Sequence, residues 1–292
     1  MLEVVDGTGR GLWYNTAMRN FDLAFSLGFS CGCSRALRAA GLQFASYPLD
    51  WTGSPGIVES ARMIASDFAG WLERDDLELV DVRAGRFGNH IYRSRKTRFG
   101  FPHEFSSFLT FEEAYGPTVE KHRRRIERLM EHVRAAKRVF VAYVERPINR
   151  RADDSDLLEA KRTLEGKFPG VEFELAYFFH ADGETKERDV APGVTAVDCS
   201  YRRMMNGEVW HEIDYDGIAK WLQSHVAVAD PRSDAEKAAY AEESRRAKRK
   251  RFAGEGNPIK RRINELQYRL YRHLDEALQK KGILPREKAL WF

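Results

Sequence analysis

Cysteine is scarce: the 292 residues include three, Cys31, Cys33 and Cys199. So small and odd a number excludes a disulfide framework and leaves any cysteine chemistry to a free thiol. Long apolar runs are also missing. The most apolar stretches, such as 139–144, are strand-sized, far short of the roughly 20 residues a membrane helix needs. Residues 1–15 lack the basic segment followed by an apolar one that marks a secretory signal. The expectation is therefore a cytoplasmic protein without a membrane span. No H-E-x-x-H, no C-x-x-C and no Walker A motif occurs, and Cys31-x-Cys33 is too short a spacing for a common zinc site. Gly7-Thr8-Gly9-Arg10-Gly11 lacks the G-x-G-x-x-G spacing and reads as a flexible N-terminal arm. Neither a metal nor a cofactor is expected.

What is present is a chain with 43% hydrophobic and 32% charged residues. That is globular composition, and the length suffices to bury a core without staples. The net charge of +4 is unevenly placed. Residues 230–292 hold 17 Lys+Arg against 10 Asp+Glu, so the remainder is slightly acidic. Two parts are expected: an α/β body over 1–229 and a basic helical extension over 230–292. The basic run 245–251 suits an anionic partner. No nucleic-acid-binding fold or interleaved aromatics accompany it, so nucleic acid is disfavoured.

Periodicity predicts strands at 21–27, 138–144, 171–179 and 194–199, and helices at 34–40, 57–72, 154–168 and 215–225. A long helical stretch over 111–137 carries a breaker at Gly116-Pro117, and 99–108 reads as an aromatic-rich loop. Strands apolar on both faces, alternating with helices, predict a mostly parallel sheet flanked by helices, three-layered and Rossmann- or flavodoxin-like.

The most informative stretch is Ser26-Leu27-Gly28-Phe29-Ser30-Cys31-Gly32-Cys33. It places a thiol after a strand and before a helix, where free N–H groups and the helix dipole favour anions. A helix N-terminus favours the nucleophilic thiolate, and N–H groups near Gly32 and Cys33 can hold an oxyanion. The carboxyl end of a parallel strand is also where open α/β sheets place their sites. The plain alternative is that Cys31 and Cys33 are small residues filling a tight turn. Gly28 to Gly32 also satisfies G-x-S-x-G, which nominates Ser30 as a serine nucleophile of an SGNH-like esterase. The G-D-S pattern of that class is absent.

Three motifs in order carry a resemblance: S-L-G-x-x-C ending at Cys31, Pro48-Leu49-Asp50-Trp51, and Phe101-Pro102-His103-Glu104. The chain resembles, over 21–145, the bacterial family called "putative papain-like cysteine peptidase", whose usual motifs are S-L-G-x-N-C, P-F-D-W and F-P-H-D. It departs from them at Ser30, Leu49 and Glu104. The resemblance implies Cys31 as nucleophile, His103 as general base and Asp50 as the group orienting the imidazole. The order Cys, Asp, His differs from papain's, and the strand–helix pattern favours a parallel α/β sheet over the papain fold. The implied substrate is an amide or ester in a peptide, a small molecule or a glycan, with a link to surface polysaccharide. A non-catalytic α/β scaffold binding a glycan or a partner is the alternative from another class. His211 and Asp214, after the last predicted strand, form a reserve base and acid, and His180 ends another strand.

Overall fold

A computed structural model describes residues 3–5, 11–13, 18–29, 31–83, 89–106, 109–145, 151–180, 185–199, 201–205, 209–230, 232–235, 237–238 and 242, with 3–5, 11–13, 83, 201–205 and 209–213 as backbone only. The chain divides into two compact units, Met1–Trp71 with Glu120–Ala229 and Leu72–Val119 with Asp230–Phe292. Most of the basic helical extension expected over 230–292 lies outside the described residues.

The first unit opens with an antiparallel pair, β1 (Glu3–Val5) and β2 (Gly11–Trp13), then β3 (Arg19–Phe21) and β4 (Leu23–Gly28). Asp22 divides the expected single strand 21–27 in two. Its carboxylate accepts the backbone N–H groups of Lys137 (2.8 Å) and Arg138 (2.9 Å), which hold it below the ordinary range. Helix α1 (Cys31–Ala39) follows, then a 3-10 turn at Pro48–Trp51 and helix α2 (Ile57–Ala65). Helix α2 stops short of the expected 72 because Asp67, Phe68 and Leu72 take positive φ.

In the second unit β5 (Leu77–Arg83), β6 (Asn89–Ser94) and β7 (Gly100–Ser106) form an antiparallel meander. The expected loop at 99–108 is therefore a strand. Tyr92 pairs with Phe101 and His90 with Phe105, so Pro102, His103 and Glu104 stand opposite Ile91 alone. Proline cannot donate to the ladder, and a bulge at an edge strand absorbs it. That bulge hides the strand pattern in the sequence. Phe105 and Phe111 stack with centroids 5.7 Å apart, and the Arg74 guanidinium lies 5.7 Å from the Phe111 ring.

Helix α3 (Phe111–Ala135) begins in the second unit and ends in the first, and it runs through Pro117 without a break. Its first turn is fixed by Thr110, whose N–H and hydroxyl both donate to Glu113. Back in the first unit come β8 (Arg138–Val144), α4 (Asp154–Lys167), β9 (Glu172–His180), β10 (Lys186–Ala191), β11 (Val194–Cys199), β12 (Tyr201–Met205), β13 (Val209–Ile213), α5 (Tyr215–His225) and β14 (Val226–Val228). Asp153 caps α4 by accepting the N–H of Asp156.

The main sheet has the order β10-β11-β9-β8-β4. Strands β4, β8, β9 and β11 are parallel, and β10 is antiparallel to β11. The tight turn Pro192-Gly193, with Gly193 at φ +73°, forces that reversal. With β3–β14 parallel and the β1–β2 and β12–β13 pairs antiparallel, the architecture is mixed α/β with several sheets rather than the mostly parallel, three-layer Rossmann- or flavodoxin-like fold expected. One face of the sheet presents Ala24, Phe140, Ala142, Val144, Ala176, Phe178 and Val197 to Leu37 of α1 and Ile218 and Leu222 of α5. Among the described residues no helix is long and apolar enough to cross a membrane.

Candidate active site

The turn from β4 into α1 is built on Gly28. It has φ +113°, and a Cβ there would lie 3.1 Å from Cβ of Ser54. Only glycine suits both conditions. Phe29 then donates its N–H to Val144 O (3.2 Å) and accepts one from Ser54 N (3.1 Å). These bonds fasten the turn to the end of β8. Ser30 lies outside the described residues. Cys31 is the first residue of α1, partly exposed, and follows the carboxyl end of a parallel strand.

The other two thiols are in different surroundings. Cys33 is 1% exposed, with Sγ 3.4 Å from Ala142 O. Burial pushes its thiol up to about 12, against the opposing hydrogen bonds of Ser26 and Val144 and with the nearby Asp50 charge adding to the rise. Cys199 is 4% exposed, and burial, then the charges of Asp214 and Asp198, push it to about 12. Cys31 is thus the accessible thiol of the three.

Asp50 is fully buried in the 3-10 turn of the same unit. Its Oδ2 accepts Gln43 Nε2 (2.7 Å), Tyr47 N (2.8 Å) and Arg38 Nη2 (3.4 Å). Arg38 also donates to Ala45 O, Ser46 and Ser34, and Ser34 donates to Gln43. The carboxylate therefore ties the segment 43–50 to the outer face of α1. Among the described residues no imidazole is a partner of this carboxylate, and Oδ1 has no hydrogen-bond partner. Burial raises the proton affinity of Asp50 despite the hydrogen bonds from Tyr47 N and Gln43 and the charges of Arg38 and Arg125.

His103 belongs to the second unit. It sits at the tip of the β7 bulge with an exposed side chain. Bulges re-aim side chains in this way. His180 ends β9 and is 5% exposed. His211 lies in β13, described as backbone. Asp214 is the N-cap of α5, where its Oδ1 accepts Gly217 N at 2.9 Å. Gly32 and Cys33 form the first turn of α1.

Sequence reasoning passed over three residues here. Glu145 follows β8 directly and is 3% exposed. Its place at a strand's carboxyl end was the available signal. Tyr143 pairs with Gly28, and burial, then the Glu145 charge, pushes its phenol well above the ordinary range. Tyr215 packs on Gly32, and no local signal announces that contact.

The family described as "Putative papain-like cysteine peptidase (DUF1796)" matches residues 22–183. The match spans more than half of the chain. The chain belongs to this family. Comparisons with curated proteins and with solved structures found no match. The family segment runs from β4 through β9 and contains Cys31, Asp50 and His103, whereas α5 with Tyr215 lies beyond it.

Proposed function

We propose that the protein is a cysteine-dependent acyl hydrolase or acyl transferase with Cys31 as its nucleophile. The observation that carries this is the contrast between the thiols: Cys33 and Cys199 are buried, whereas Cys31 is partly exposed at the start of α1. The sulfur attacks an acyl carbonyl carbon, the carbonyl electrons move onto oxygen, and collapse expels an amine or alcohol. Water or an acceptor alcohol then cleaves the thioester. Backbone N–H groups of Gly32 and Cys33, with the helix dipole behind them, stabilise the oxygen anion. The family motif nominates His103 as the base that takes and returns the proton. Asp50 serves this site by holding segment 43–50 against α1. The substrate is an amide or ester of a peptide or glycan, and it would bind at the carboxyl ends of the parallel strands β4, β8, β9 and β11, where an open α/β sheet places such a site.

The test is site-resolved alkylation of the native protein by iodoacetamide from pH 5 to 9, with Cys33 and Cys199 as internal controls. Cys31 alone is expected to react, and His103→Ala is expected to slow it without changing Tm. Protection of Cys31 equal to that of Cys33 overturns the nucleophile. Unchanged Cys31 kinetics in His103→Ala removes the base.

A further inference from the structure

Helices α1 and α5 lie side by side and point the same way. At their amino ends Gly32 meets Tyr215, and at their carboxyl ends Gln223 Nε2 donates to Ala39 O at 3.2 Å. Between these contacts Leu37, Ile218 and Leu222 share one core. Both helices therefore present their amino ends at the end of the sheet where β4 gives way to Cys31. The contact at that end is unusually close. A Cβ on residue 32 would lie 1.9 Å from Cζ of Tyr215 and 2.1 Å from its hydroxyl oxygen. The hydroxyl end of the phenol, not only the ring face, rests on the residue following Cys31. Tyr215 is held there because it is the first residue of α5, immediately after the Asp214 cap.

Cys31 is the residue next to Gly32 in the first turn of α1, so the Tyr215 hydroxyl lies one residue away from it. We propose that the Tyr215 hydroxyl donates a hydrogen bond to the oxygen anion formed when Cys31 attacks an acyl carbonyl. The inference rests on Cys31 being the nucleophile. It makes Tyr215 a catalytic residue supplied from outside the family segment. In the step, the S–C bond forms, the carbonyl π electrons go to oxygen, and Tyr215 keeps its proton. Collapse restores the carbonyl and releases the leaving group. A phenol is a good donor for this task because it points at the developing charge without itself carrying one. Gly32 then has a second reason for lacking a side chain: it leaves room for that donor.

Two probes of Cys31 separate this role from packing. Acylation by p-nitrophenyl acetate passes through an oxyanion and releases p-nitrophenolate, whereas alkylation by iodoacetamide displaces iodide and forms none. Tyr215→Phe keeps the ring and removes the hydroxyl. It is expected to slow acylation at Cys31 by about a hundredfold to a thousandfold, with the alkylation rate unchanged. Equal slowing of both reactions, or of neither, overturns the assignment of Tyr215 while leaving the nucleophile standing. If wild type releases p-nitrophenolate no faster than Cys31→Ala, the nucleophile itself falls, and this inference falls with it.

Discussion

His225 Nε2 lies 3.3 Å from Glu187 Oε2, and the contact fastens the end of α5 to the edge strand β10. The same oxygen accepts the indole N–H of Trp221 at 2.9 Å, and the imidazole stacks on that indole with centroids 4.2 Å apart. The hydrogen bond to Glu187 raises the proton affinity of His225, opposed by partial burial and by Arg19. The bond from His225 lowers that of Glu187.

A pH dependence of stability follows. For a histidine whose affinity is raised on folding, the contribution is complete below its ordinary value of 6.5 and is lost as pH rises through the higher folded value. For Glu187 the contribution is complete above its ordinary 4.5 and is lost as pH falls through the lower folded value. The clamp is therefore strongest between those two ordinary values. Both side chains are partly exposed, 23% for His225 and 29% for Glu187, and solvent screening holds the effect to about 1 kcal/mol, about 2–4 °C in Tm for a domain of this size. Melting curves of His225→Gln should run parallel to wild type above pH 8 and fall below it near pH 6. A constant offset across that range would show that the pair does not titrate as a clamp.

Asp50 should separate charge from hydrogen bonding. Its affinity for a proton is raised on folding, so its contribution is present at low pH and declines as pH rises through the folded value. Asp50→Ala leaves Tyr47 N, Gln43 and Arg38 without their acceptor and is expected to cost about 3–5 kcal/mol. Asp50→Asn keeps an acceptor oxygen for the three donors and puts its amide where Oδ1 had no partner, so it should cost less than half as much. Chemical denaturation of both variants measures the difference. Equal losses would mean that the ion pair with Arg38, and not the backbone and Gln43 bonds, holds this turn.

Gly28 and Gly41 both take positive φ, at +113° and +76°, but their surroundings differ. A Cβ at 41 meets nothing within 4 Å, whereas a Cβ at 28 lies 3.1 Å from Ser54 Cβ. Gly41→Ala therefore carries the backbone cost alone, about 1 kcal/mol, and Gly28→Ala at least about twice that because the contact adds to the strain. Denaturant midpoints of the two variants measure the difference. Similar stabilities for the two variants would show that the turn yields easily.

The legible part of the fold was the part buried on both faces. Strands β8, β9 and β11 read as continuous apolar runs because helices or loops exclude water from each side, and α5 shows a clean apolar stripe. Strand β10 did not show because it is an exposed edge of mostly charged residues, although Pro192-Gly193 marked its turn. Strand β7 was hidden by the bulge that places Pro102 and His103 inside it. At the site, Cys31 was legible because strand, glycine and helix formers are adjacent in the chain. Tyr215 was not, since it meets Gly32 only after the whole sheet has formed. Nor were Gln43 and Arg38, whose bonds to Asp50 depend on how segment 43–50 folds back over α1.

Helix propensity and packing make opposite predictions at Gly32, which decides between them. Alanine is favoured over glycine inside a helix by about 1 kcal/mol, so an isolated α1 gains from Gly32→Ala. In the protein the new methyl would sit 1.9 Å from Cζ of Tyr215, and the ring must leave its place over the first turn. Overpacking of that kind costs about 1–3 kcal/mol and outweighs the propensity gain. Gly32→Ala should therefore destabilise the wild-type protein. In a Tyr215→Ala background the space is open, and the same substitution should become neutral or stabilising. The double-mutant cycle would then give a coupling of about 1–3 kcal/mol, read from denaturant midpoints at constant m-value. A substitution at 32 that costs the same in both backgrounds would place the Tyr215 ring elsewhere in solution and remove the contact on which its hydroxyl's role depends.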